Sequence, residues 1–310
     1  METLGFDIGG TRLKAGRVDD SGRILVLRSV ATPETLAGLE TAAADLVTEL
    51  HAAGEPLRIG VGCRGIVDPR TTKVEALPGP AAFLEGTLLR DLFPRAVELA
   101  ADNDARVALA GEMAWGAARG CRHALMYTLG TGVGGAVLAD GRLAHGAGNV
   151  AGHLGHVTVD PAGPRCICGN RGCLETYFSA RAIEAEAFAA AHRGCETVLR
   201  TRYDESGGRL TCEEVFAAAG AGDALALEIV TRAVHVLGGA IAGMVHALDP
   251  ELVILGGRIS LAGEILFGGV RAEVWSRTRR LLRREVPVVP SQVEDPSGVA
   301  GAAAMVMQRR

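Results

Sequence analysis

The chain has 310 residues, of which 48% are apolar and 22% charged, a length and balance that suit an ordinary soluble protein with two domains. A formal net charge of −4 gives no basic field for nucleic acid, so no nucleic-acid partner is expected. No basic stretch followed by an apolar run opens the chain, and no uncharged apolar run reaches the roughly 18 residues of a membrane span, so a cytoplasmic protein with reduced thiols is expected.

The first predicted element is a strand at Leu4–Ile8, followed by the turn Gly9-Gly10-Thr11 and a second strand to Val18, with a further turn at Asp20-Ser21-Gly22. Met126–Leu138 repeats this plan around Gly130-Thr131-Gly132-Val133-Gly134-Gly135 and turns again at Asp140-Gly141. Ile24–Val30 and Arg142–His145 supply a possible third strand to each copy, and such a repeat points to a duplicated domain. Between the copies, Thr32 is placed to cap a helix with Pro33 in its first turn. Leu36, Leu39, Ala43, Leu46, Val47 and Leu50 form its apolar face up to Gly54. Leu57–Cys63 and Val97–Ala101 read as buried strands and Asp104–Trp115 as a helix ending at Gly116.

In the second half, Ser179–His192, Cys212–Ala219 and Asp223–Leu248 read as helices, and Glu251–Leu255 and Val286–Val289 as strands. Residues 194–210 read as an exposed connection, and the small apolar helix Ser297–Met307 should pack closely on something. Alternating strands and helices imply an α/β protein with mixed sheets. The predicted domains are 1–118, joined by a helix at 297–308 that packs back onto it, and 119–296, which contains a loop at 152–175.

That loop carries His156, Cys166, Cys168 and Cys173. One imidazole and three thiolates suit a closed tetrahedral zinc site, which would shape the loop and leave no position for substrate. Gly169 and Gly172 free the backbone to curl the ligands toward one ion. The two glycine turns expose N–H groups that can form anion nests, with Thr11 and Thr131 adding hydroxyl donors. Gly130, Gly132 and Gly135 also satisfy the dinucleotide fingerprint, but that site needs a helix after the turn and this one runs into a hairpin. Plain tight hairpins are the alternative to phosphate sites. Asp104 lies between a strand and a helix, where a carboxylate can serve as a general base or simply favour the helix start.

Asp7-Ile-Gly-Gly-Thr, Leu129-Gly-Thr-Gly-Val-Gly-Gly, Gly155-His156 and Cys166-x-Cys168-Gly-x-x-Gly-Cys173-Leu-Glu175, in this order, resemble the ROK family of sugar kinases and sugar-responsive repressors. The resemblance implies an actin-like ATPase (ribonuclease H-like) fold, two α/β domains about a cleft, and transfer of the γ-phosphoryl group of Mg-ATP to a sugar hydroxyl, commonly O6 of a hexose. It implies Asp104 as the base and Asn103, Gly65, His153, His156 and Glu175 as sugar-binding residues. Asp7, Gly9, Gly10, Thr11, Thr131, Gly132 and Gly134 would serve the magnesium and the phosphates, and Gly256 and Gly257 the adenosine. A homodimer or homotetramer is implied too. His153 stands where many of these kinases carry Glu, and the Gly-His-x-Gly-His pattern is found in N-acetylmannosamine kinases, so that sugar or glucose is expected. Arg106 stands where the family often has Asn. A sugar-binding regulator or a non-catalytic sensor is the alternative, and polyphosphate an alternative donor. Repressors of the family place a helix-turn-helix domain ahead of the Asp-x-Gly-Gly segment, whereas only six residues precede Asp7 here.

Overall fold

A computed structural model describes residues 2–51, 56–79, 81–293 and 298–308; the predicted limits Gly54 and Ser297 lie outside them. The first sheet has the order β3-β2-β1-β4-β7, formed by β1 (Thr3–Ile8), β2 (Arg12–Val18), β3 (Ile24–Ala31), β4 (Arg58–Cys63) and β7 (Glu98–Asn103). β1, β4 and β7 run parallel, and β2 and β3 form the antiparallel edge. β5 (Ile66–Asp68) and β6 (Lys73–Ala76) make a small antiparallel pair. The second sheet has the order β10-β9-β8-β11-β12, from β8 (Ala124–Leu129), β9 (Val133–Ala139), β10 (Arg142–Leu143), β11 (Leu252–Gly256) and β12 (Val288–Pro290). The repeated meander is therefore real, although its third strand stops at Leu143, short of His145.

Helix α1 (Leu36–Leu50) buries Leu39, Ala43, Leu46, Val47 and Leu50, as the apolar spacing predicts. Its cap is Thr35, whose hydroxyl accepts from Gly38 N, and not Thr32. Pro33 disfavours helical backbone at Thr32, and Thr32 instead braces the first glycine turn, donating from Oγ1 to Gly9 O at 2.7 Å and from N to Thr11 O. Helix α2 spans Asp104–Trp115, α3 Ala180–His192, α5 Cys212–Gly220, α6 Ala224–Leu248 and α8 Val299–Met307. Residues 194–210 are more than a connection. They hold α4 (Val198–Glu205), capped by Thr197 and seated by buried Leu199. Helix α7 (Glu264–Leu282) is absent from the sequence expectation. Its buried stripe Leu266, Phe267, Val270 and Val274 was there to read, but Gly268-Gly269 and a run of arginines obscure it. By length and a mean hydropathy of 1.5, α6 would suit a membrane span. Its buried face, including Leu237, Ile241 and Val245, packs instead on α5 and α7.

The chain forms two compact units. One comprises 1–121, 136–152 and 291–310, and the other 122–135 and 153–290. Segment 136–152, placed in the second domain from the sequence, falls in the first of these units, although β9 and β10 pair within the second sheet. In the first unit α8 lies on β1, β4 and α2, and its small residues permit the approach. A Cβ on Gly60 would stand 1.7 Å from Ala302 O, so no side chain fits. Gly60→Ala is expected to lower stability by at least ~2 kcal/mol through overpacking, read as a lower urea midpoint at unchanged slope. Buried Glu112 of α2 ties down residues 291–293, its Oε1 accepting from Ser291 Oγ, Gln292 N and Val293 N and its Oε2 from Ala117 N.

Candidate active-site residues

In the first unit the predicted residues gather at the carboxyl ends of β1, β4 and β7, the end of a parallel sheet where ligands bind. Asp7 is half-buried near the end of β1, with Lys14 Nζ 3.4 Å from its Oδ2. The turn after β1 is closed by Gly9 N donating to Arg12 O at 3.1 Å, so the amides of Gly10 and Thr11 sit at a reversal. Asn103 ends β7 and caps α2 through Oδ1, which accepts from Ala105 N at 3.0 Å and Arg106 N at 3.4 Å. Its Nδ2 donates to Gly65 O at 3.0 Å and to Asp104 Oδ1 at 2.9 Å. A sugar hydroxyl would have to compete for that amide. Asp104 Oδ1 also accepts from Ala105 N at 2.9 Å, so both bonds fall on one oxygen. Burial pushes the Asp104 carboxyl up from its ordinary value, opposed by the Ala105 N–H, the Arg64 charge and Asn103.

Asp102, one residue before Asn103, is sealed in. It accepts from Arg106 Nη1 at 2.8 Å, from Asn103 N at 2.7 Å and from His145 Nε2 at 2.6 Å. A carboxylate so committed has no room for a proton-transfer role, which leaves Asp104 as the base candidate. Arg106 is 1% exposed and also donates to the carbonyls of Asn149 at 2.6 Å and Ala151 at 2.9 Å. It therefore pins the stretch before His153 to the start of α2, the job that holds segment 136–152 in this unit. Arg106→Met would strip the buried Asp102 carboxylate of its guanidinium partner and is expected to cost about 3–5 kcal/mol of stability, measured by chemical denaturation.

In the second unit the residues meet around the hairpin between β8 and β9. Glu175 Oε2 accepts from Val133 N at 2.9 Å, and a Cβ on Gly132 would lie 2.2 Å from that oxygen. A Cβ on Gly155 would lie 1.9 Å from Val133 O, so the loop backbone rests directly on the hairpin. Thr131 is exposed at its tip, with Gly132 and Gly134 partly so. Gly256 ends β11, and Gly257, at φ 83°, passes so near β8 that a Cβ would lie 2.4 Å from Leu129 O. His153 precedes a short 3-10 turn at Leu154–His156, its ring 6.3 Å from that of His156.

The four zinc-ligand candidates come together. His156 Nδ1 and the sulfurs of Cys166, Cys168 and Cys173 all lie within 4.8 Å of one another. Cys166 Sγ is 3.6 Å from His156 Nδ1, and Cys168 Sγ is 3.6 Å from Cys173 Sγ. Tetrahedral zinc bonds of about 2.3 Å to sulfur and about 2.0 Å to nitrogen imply separations of about 3.8 and about 3.6 Å, so the donor set fits the ion. Gly172, at φ 61°, makes the turn that delivers Cys173. Burial and the other two sulfurs push the Cys173 thiol up to about 12, so its thiolate needs a compensating cation. Zinc held here would supply a fixed loop, not a reaction centre.

The grip of Arg106 on residues 149–151 goes unread in the sequence; the departure from Asn at 106 was the available signal for it. A family model described as the ROK family matches residues 3–309. The chain is 34% identical to a glucokinase of Thermotoga maritima over 100% of its own length and 98% of the relative's. It is 37% identical to an N-acetylmannosamine kinase of Citrobacter koseri over 84% of this chain and 85% of that one. A ROK family glucokinase from Streptomyces griseus, solved with glucose and AMPPNP, is similar at a TM-score of 0.84 and 30% identity, covering 99% of this chain and 100% of that one.

Proposed function

Because the chain belongs to the ROK family, we propose that it is a sugar kinase that moves the γ-phosphoryl group of Mg-ATP to O6 of a hexose or N-acetylhexosamine, with N-acetylmannosamine or glucose favoured. The observation that carries this is Asp104, held by Asn103 and Ala105 N through Oδ1 alone at the carboxyl end of β7. Its second oxygen accepts the hydroxyl proton as the sugar oxygen attacks. Gly65 and Asn103 form the floor around it. Asp7 orders magnesium through water, and Gly9, Gly10, Thr11, Thr131, Gly132 and Gly134 offer donors to the phosphates. Gly256 and Gly257, where β11 passes close to β8, border the adenosine. Glu175, His156 and His153 receive sugar hydroxyls or an acetamido group, on a loop fixed by zinc. An imidazole at position 153 in place of a carboxylate alters which substituent can be satisfied, hence the leaning toward a hexosamine. The working form is a cytoplasmic homodimer or homotetramer.

The test is a coupled assay with Mg-ATP or polyphosphate across glucose, mannose, N-acetylglucosamine and N-acetylmannosamine. Turnover with glucose or N-acetylmannosamine and ATP is expected. Sugar binding by calorimetry without turnover on any of the four would make the protein a sensor instead.

A further inference from the structure

Arg64 directly follows β4, the strand between β1 and β7. In register, Cys63 is opposite Ile8 on one side and Asn103 on the other. The next residue therefore emerges between the Gly9-Gly10-Thr11 turn and Asp104. The side chain is exposed. Among the described residues it has no hydrogen-bond or ion-pair partner, unlike Lys14, Arg58 and Arg106 of the same unit. Its Nη1 lies 2.8 Å from where a Cβ on Gly10 would stand, so the guanidinium rests against the turn. Its charge is also felt at Asp104 and at the Cys63 thiol.

Resting on the kinase reading above, we propose that Arg64 is a further catalytic residue whose guanidinium contacts the γ-phosphate of a nucleotide seated on the Gly9-Gly10-Thr11 turn. In-line transfer requires the moving phosphorus to lie between the phosphate cradle and the hydroxyl facing the base. A cation touching the cradle and facing the base is then beside that phosphorus. The sugar oxygen forms a bond to the γ-phosphorus and its proton passes to Asp104. The bond from the γ-phosphorus to the bridging β-phosphate oxygen breaks, and ADP leaves with the electron pair. Arg64 stabilises the equatorial oxygens while charge shifts toward ADP, as a planar donor suited to phosphate. Lys14, ion-paired with Asp7, is less available for this role.

Arg64→Ala and Arg64→Lys in the full-length protein test the idea by calorimetric titration with Mg-ADP and with Mg-AMPPNP, alongside turnover on the best sugar. Arg64→Ala is expected to weaken AMPPNP by about 10- to 100-fold while ADP stays within about threefold, the loss of one charged hydrogen-bonded contact. Its kcat should fall by about 10²- to 10³-fold, with Lys intermediate and part of the loss recovered on adding guanidinium chloride. Equal weakening of both nucleotides, or of neither, would overturn the proposal. A wild-type protein that phosphorylates no sugar would defeat the kinase reading, while the two titrations would still decide whether Arg64 meets a γ-phosphate.

Discussion

Asp104→Asn is expected to lower kcat by about 10²- to 10⁴-fold, while calorimetry finds the sugar bound within about threefold of wild type. The exchange keeps size and shape. An asparagine oxygen at the Oδ1 position still accepts from Asn103 Nδ2 and Ala105 N. What disappears is the second oxygen's capacity to take a proton. The pH dependence follows from the raised carboxyl, whose first cause is burial. A base works only when ionised, so wild-type kcat should fall on acidification at a pH above the ordinary carboxylate range, and the variant should lack that limb. The stability sign is the opposite of a salt-bridged aspartate. A carboxyl raised on folding contributes stability below its unfolded value and loses it as pH rises through the folded one. Asp104→Asn should therefore melt no lower than wild type at neutral pH, with the difference shrinking in acid. Turnover within tenfold of wild type would remove Asp104 as the base. Parallel loss of sugar binding would make it a structural residue instead.

The elements most readable from sequence are those whose causes lie within a few residues. Leu39, Ala43, Leu46 and Leu50 announce α1, and Asn103 with Asp104 announces the start of α2. The four zinc-ligand candidates belong to the same class, because the chain between His156 and Cys173 supplies both the donors and the glycine that turns them inward. Other features depend on partners distant in sequence. Arg106 is explained only by the carbonyls of Asn149 and Ala151, and Glu112 only by residues 291–293. Arg64 looks like a surface cation until β4 is seen between β1 and β7. Helix α7 fails for a different reason: its buried stripe is real, but Gly268-Gly269 and Arg271, Arg277, Arg279 and Arg280 dilute it. Position 32 shows a local rule pre-empted by another, since a threonine before proline braces a turn while Thr35 caps the helix.

Removal of the metal should be as damaging as loss of the base. Purified protein is expected to carry one zinc per chain by elemental analysis. A strong chelator, or Cys173→Ser, should lower kcat/KM for the sugar by at least about 100-fold. The reason is how little else holds residues 156–173. Apart from Gly163, Cys166, Gly172 and Cys173, the segment is exposed or half-exposed, and Ile167 is 60% exposed. Isolated bridges such as Thr158 with Cys173 and Arg165 with Arg171 stitch the backbone, but so short a ladder with so little apolar burial is a weak scaffold, and the binding energy of a metal held here would become the loop's folding energy. The damage should not stay local. Cys173 leads through Leu174 to Glu175, whose carboxylate meets Val133 N, and Gly155 rests on Val133 O, so a loosened loop takes the contacts of the β8–β9 hairpin with it. Hydrogen exchange should therefore rise across 156–175 and in the hairpin at 130–133, while α6 stays protected, and added zinc should reverse the effect of the chelator. Cys121→Ser, whose hydroxyl can keep the bond to Ala117 O, serves as the cysteine control and should retain both metal and activity. Full activity in metal-free protein with an unchanged exchange pattern would mean that packing alone orders these residues, and the four donors would then be only neighbours.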